Sequence, residues 1–139
     1  MSPAAAEADA AVETVREVSR RFRAGDFDGA FRLYHPDISV EQPASLPHGG
    51  RHTGLLGLAD MAAEFGRHWE RTIGEPRIVG LGPFVLQMTT QTWTAKGTGR
   101  SATVDVVELI TVADGLVTEI RVFPQDTHLV LATLEAASA

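Results

Sequence analysis

The chain has no cysteine, one tyrosine and two tryptophans in 139 residues. Without cysteine there can be no disulfide, thiolate metal site or cysteine nucleophile, which fits a reducing compartment. Cations are also scarce, 12 Lys and Arg against 18 Asp and Glu, for a net charge of -6. Nucleic acid and anionic lipid both need basic residues gathered on one face, and no such cluster exists, so neither is expected as a partner. No apolar run approaches the roughly 20 residues of a membrane span, and no basic segment followed by an apolar one opens the chain. A cytoplasmic location is expected.

Hydrophobic residues make up 44% of the chain and charged residues 22%, as in one ordinary globular domain with a single core. Residues 1–10 are small and unpatterned and read as a flexible start, leaving 11–139 as the domain. Ala11, Val15, Val18 and Phe22 recur at helical spacing up to Gly25. A second, short helix would turn Phe27, Ala30, Phe31 and Tyr34 inward and stop at Pro36. The strand "ISVEQP" follows, then the loop "ASLPHGGRHTG". In "GLLGLADMAAEFGRHWERT", Leu58, Met61, Ala62, Phe65 and Trp69 predict a third helix. Four strands come next, separated by Gly82-Pro83, the Lys96–Gly99 stretch and Asp114-Gly115, and a closing helix has Asp126 as its N-cap. This is an α+β pattern: a curved antiparallel sheet with three N-terminal helices forming a cone-shaped pocket, and a short C-terminal helix.

One residue breaks the apolar pattern. In the strand "VDVVELITVADG", Glu108 shares a face with Val104, Val106, Ile110 and Val112, whereas Asp105 looks the other way. With a three-residue hairpin loop at 113–115, Glu108 would face Ile120 and Val106 would face Val122, both apolar, while Asp105 would lie diagonally from Arg121 and could pair with it. A carboxyl among apolar side chains finds a partner, stays protonated or lines a cavity. Gln87 or Gln91 could supply the partner. A protonated acid could instead stabilise an enolate or donate a proton to a leaving oxygen.

Other polar groups are candidates for a base. His48 lies in a Gly-rich loop and could face solvent or ligand, and the glycines beside it leave room for movement. His68 flanks the third helix beside Trp69 and reads as an edge histidine or as a base. His48 and His52 have the spacing of a helical metal pair, but Gly49 and Gly50 break the helix such a pair needs, so no metal is predicted. Trp69 and Trp93 could pack in the core or wall a pocket. Trp93 shares its strand face with Gln87, Thr89 and Gln91, a mixture found in pockets and on dimer faces.

The segments "FRAGDFDGAFRLYHPDISVEQP", "LPHGGRHTGLLGLADMAAEF" and "VDVVELITVADGLVTEIRVF" resemble the nuclear-transport-factor-like superfamily, in particular ketosteroid isomerases and SnoaL-like polyketide cyclases, over about residues 11–134. The resemblance implies a cone fold. It also implies an oxyanion-stabilising acid at Glu108. The isomerases' base position holds Gln42, which cannot take a proton, and their helical tyrosine position holds Val18. Steroid isomerisation is therefore not expected. Glu41, one place earlier, would face away from the cone unless a bulge turned it. The cyclases match better. The expected function is cofactor-independent acid/base cyclisation or isomerisation of a small apolar carbonyl, enol or epoxide. Glu108 would be the acid, with His48 or His68 as base, and Gln42, Met61, Phe65, Trp69, Trp93, Val106 and Ile120 would line the site. The alternative is a non-catalytic ligand-binding or dimerisation domain of the same fold. A homodimer through the outer sheet face is expected in either case.

Overall fold

The structure, a computed structural model, describes residues 2–136; Met1 and the last three residues of the expected domain lie outside the described residues. Helix α1 (Pro3–Arg23) begins eight residues before the expected start. Ser2 accepts a hydrogen bond from the Ala5 amide and Pro3 occupies the first turn, so the alanine-rich segment expected to be flexible is a capped helix. Helix α2 (Phe27–Phe31) is capped by Asp26, whose carboxylate accepts from the Gly29 amide. Arg21 ties the two helices together by donating to the Gly29 carbonyl at 2.7 Å.

Only these two helices precede the sheet, not three. Strands β1 (Tyr34–Gln42) and β2 (Gly50–Thr53) come before α3 (Gly54–His68), and β3 (Trp69–Ile73), β4 (Arg77–Leu81), β5 (Phe84–Ala95), β6 (Ser101–Ala113), β7 (Leu116–Pro124) and α4 (Thr127–Ala132) follow. The sheet runs β2-β1-β7-β6-β5-β3, with β4 also on β5. It is mixed, because β1 lies parallel to β7 while the other pairs are antiparallel. The first half of β5 pairs with β4 and the second half with β3, so one long strand carries two partners on the same edge. The result is a half-barrel flanked by helices.

Three sequence readings change here. Tyr34 opens β1 instead of closing α2, and Pro36 sits within β1 where the pairing to β7 is irregular, between Tyr34 and Ser39. A residue before proline avoids the helical region, so a strand absorbs this pair more readily than a helix end does. Trp69 lies on β3 and not on the α3 stripe, because α3 stops at His68. The β6–β7 turn is the two-residue Asp114-Gly115, both with positive φ (52° and 75°), and not the expected three-residue loop. Those angles define the tight turn that matches the twist of paired strands. The tight turn shifts the pairing by one residue and a bulge at Thr111/Val112 by one more, so from Thr111 back along β6 each partner has moved by two: Glu108 faces Val122 and Ile110 faces Ile120. An even shift keeps each side chain on its face. It carries Arg121 away from Asp105, opposite Leu109, and Asp105 accepts instead from the Thr90 hydroxyl at 2.7 Å.

Two clusters form the core. Val15, Val18, Ile38, Val40, Leu58, Val85, Ile110, Val117 and Ile120 join α1 and α3 to the sheet. Leu46, Trp69, Trp93, Ala95, Ala102, Val104, Val106 and Val130 form the second, under α4. Glu108 lies on β6 between Val106 of one cluster and Ile110 of the other.

Candidate active site

The inner face of the sheet carries Gln87, Thr89, Gln91 and Trp93 on β5, Glu108 on β6 and Gln42 on β1. Gln87 is directly opposite Glu108, yet neither Gln87 nor Gln91 satisfies the carboxyl. The Gln91 amide is used twice: its oxygen accepts from the Trp93 indole and its nitrogen donates to Thr89, each at 2.9 Å. Among the described residues Glu108 makes no side-chain hydrogen bond and no ion pair. Burial pushes its carboxyl above the ordinary range, with the positive charge of Arg71 opposing. The residue nonetheless keeps intermediate solvent accessibility. The carboxyl is thus enclosed by protein without the residue being wholly sealed from water.

Tyr34 belongs to the same place, and sequence reasoning missed its role. It is the chain's one tyrosine, packed against Phe22 and Phe31 with ring centroids 6.3 and 5.8 Å away. Burial raises its phenol pKa, and the nearby charge of Glu108 raises it further. Its hydroxyl makes no hydrogen bond among the described residues. The phenol therefore stays neutral, a proton donor beside the carboxyl. Val18, at the position where the resemblance would put a tyrosine, is buried core.

A second group of residues surrounds His48. The imidazole is only 4% exposed. Phe65, Trp69 and Trp93 enclose it, at centroid distances of 5.2, 6.1 and 6.0 Å. Its Nδ1 is the one fully buried side-chain nitrogen or oxygen without a hydrogen-bond partner among the described residues. Burial, followed by the charge of Arg71, lowers its pKa to about 4, so the ring is neutral. Gly49 beside it leaves no space for a side chain: a Cβ there would meet the Pro43 carbonyl oxygen at 2.4 Å. The loop is wound around that glycine, and the His48 carbonyl is tied to the His52 ring at 2.8 Å. The Trp69 indole donates to Thr133, just beyond α4, which closes the box from below.

The remaining expected residues divide. Met61 and Phe65 face inward from α3, and the Gln42 amide donates to the Met61 sulfur at 3.6 Å. Val106 and Ile120 are buried in the core. His68 stands apart at the end of α3, 3.4 Å from Glu64, which also pairs with Arg67. Glu41 is exposed on the outer side, opposite Arg121. Two surface depressions, about 320 Å³ at Arg16, Arg20 and Glu75 and about 420 Å³ at Glu41, Arg51 and Phe123, do not contain Glu108. No group of three or more His, Asp or Glu among the described residues could hold a metal ion. Among the same residues no helix is long and apolar enough to cross a membrane.

The chain belongs to the SnoaL-like domain family, whose model matches residues 15–120. No curated protein matches it. It is similar to an NTF2-like protein from Burkholderia xenovorans, with 28% identity and a TM-score of 0.78 over 91% of this chain and 97% of that one. TerC, crystallised with polyporic acid, shares 24% identity and a TM-score of 0.79 over 91% and 99%. A candidate polyketide cyclase from Pseudomonas putida shares 14% identity and a TM-score of 0.71 over 90% and 98%. The last two likenesses are of fold.

Proposed function

We propose that the protein is a cofactor-independent acid/base cyclase or isomerase acting on a small, flat, mostly apolar carbonyl or enol compound. The family's membership supports an enzyme. The observation that carries the reading is the interior carboxyl of Glu108, raised by burial and without a partner among the described residues. Protonated Glu108 and the Tyr34 phenol would donate to the substrate's carbonyl oxygen, lowering the energy of the enolate formed when a proton leaves the adjacent carbon. Neutral His48 is the proposed base, its free Nδ1 needing a partner that a substrate proton or an ordered water supplies. Trp69 and Trp93, expected to wall the site, are core residues only 1% and 2% exposed, so Phe65, Met61 and Gln42, which keep accessible surface, would meet the substrate, with Val106 and Ile120 packed behind them. His68, held by Glu64, is the weaker alternative base.

The outer sheet face supports a homodimer. Met88, Val107 and Phe123 lie opposite one another across three strands, beside the Leu86/Leu109 pair, and Phe123 is 46% exposed. Such an apolar row is unusual for a free sheet face.

The test is exchange of the α-protons of 2-tetralone in D2O, followed by proton NMR. Wild-type protein should accelerate exchange and Glu108→Gln should not. Binding of the ketone without faster exchange would leave a ligand-binding domain of the same fold.

A further inference from the structure

Nothing in the sequence pattern singles out Arg71, yet its charge reaches both Glu108 and His48. On β3 it faces Trp93 across the pairing with β5, and so shares the inner face with Trp69. Its guanidinium sits over the Phe65 ring, 4.6 Å from the centroid. In a chain with net charge -6, among the described residues no carboxylate comes within 4.0 Å of the guanidinium and the side chain makes no hydrogen bond. One face of the guanidinium plane is covered, and none of its five N–H donors has a partner among the described residues. The residue as a whole is exposed, while the protein around its guanidinium strips away part of the water there.

We propose that Arg71 is the recognition residue for an anionic oxygen of the substrate, a carboxylate or an acidic enol carried on a flat ring. The proposal rests on the interior being the working site. A guanidinium binds a carboxylate through two parallel hydrogen bonds, a geometry that needs one clear edge and a fixed plane. Stacking on Phe65 fixes the plane. A ring attached to that carboxylate would extend past Trp93, whose partner across the β3–β5 pairing is Arg71, toward Glu108. The charges agree with this placement. Burial lowers the guanidinium pKa and Glu108 alone counters it, so the cation carries a cost that an arriving anion would relieve. The groups acting on His48 are Arg71, His52 and His68, which disfavour its protonation, and Glu64, which favours it. An anion on Arg71 would cancel the largest of these charges and make His48 a better base only when an acidic substrate is present.

The experiment compares 2-naphthoate with 2-naphthamide, its neutral analogue, by calorimetric titration of wild type, Arg71→Gln and Arg71→Lys. Wild type should prefer the carboxylate by about tenfold or more, the worth of one charge-assisted pair. Arg71→Gln should abolish the preference and leave amide binding intact, and Arg71→Lys should restore part of it. NMR titration of the imidazole should show the His48 pKa rising on binding naphthoate and not on binding naphthamide. Equal affinity of wild type for both probes, or an unchanged preference in Arg71→Gln, would overturn the Arg71 assignment while leaving the pocket standing. Failure of both probes to bind wild type would overturn the interior site and this assignment with it.

Discussion

The two faces of β5 and β6 treat polar residues in opposite ways. Outside, six polar side chains pair across the strands: Thr90 with Asp105, Thr92 with Thr103, Thr94 with Ser101, at 2.7 to 2.9 Å. Inside, Gln91, Thr89 and Trp93 satisfy one another, while Glu108, Tyr34 and His48 do not. Partners are left out where they would cost most, since a buried unpaired group carries its full desolvation penalty. On the proposed function, the substrate supplies the missing partners.

The contrast can be broken by substitution, beginning inside. Glu108→Gln keeps the shape and removes the acid, so turnover should fall by about 10²- to 10⁴-fold, the usual weight of a general acid; steady-state kinetics on an exchanging ketone measures it. Trp93→Ala removes a filled, hydrogen-bonded wall, and chemical denaturation should show a loss of about 3–5 kcal/mol.

The pH dependence separates the two interior groups. Because Glu108 is raised in the folded state, the fold holds its proton more tightly than the unfolded chain does. Its stability contribution is best in acid and declines as pH rises above the ordinary carboxyl value. Glu108→Gln should therefore melt higher than wild type at pH 8, with the difference vanishing toward pH 4. His48 acts in the reverse direction: lowered from 6.5 to about 4, it costs stability as pH falls through that interval. His48→Gln should flatten the acid side of the melting profile. The smallest effect is expected outside, where Thr90→Val should cost about 0.5–1.5 kcal/mol and leave activity unchanged.

Glu108 was legible because strand parity survives errors in register: the bulge and tight turn moved its partner from Ile120 to Val122, an even step. The α+β class and the closing cap at Asp126 were legible for similar reasons, resting on periodicity and cap chemistry. Element ends were not. Phe65 and Trp69 keep helical spacing, and no proline or glycine follows His68 until Gly74, so Arg71 was hidden inside a supposed helix. Pro36 looked like a helix terminator and concealed that Tyr34 begins a strand. The enclosure of His48 depended on a loop folding over Gly49 against three aromatic rings from α3, β3 and β5, contacts that no local pattern encodes.

The most direct measurement is the carbon-13 NMR titration of the Glu108 side-chain carboxyl, assigned by its absence in Glu108→Gln. A midpoint above the ordinary carboxyl value, moving further when a flat ketone binds, is the predicted result. A midpoint at or below the ordinary value, unmoved by ligand, would mean that Glu108 is a solvated or paired carboxylate and that the interior holds no acid.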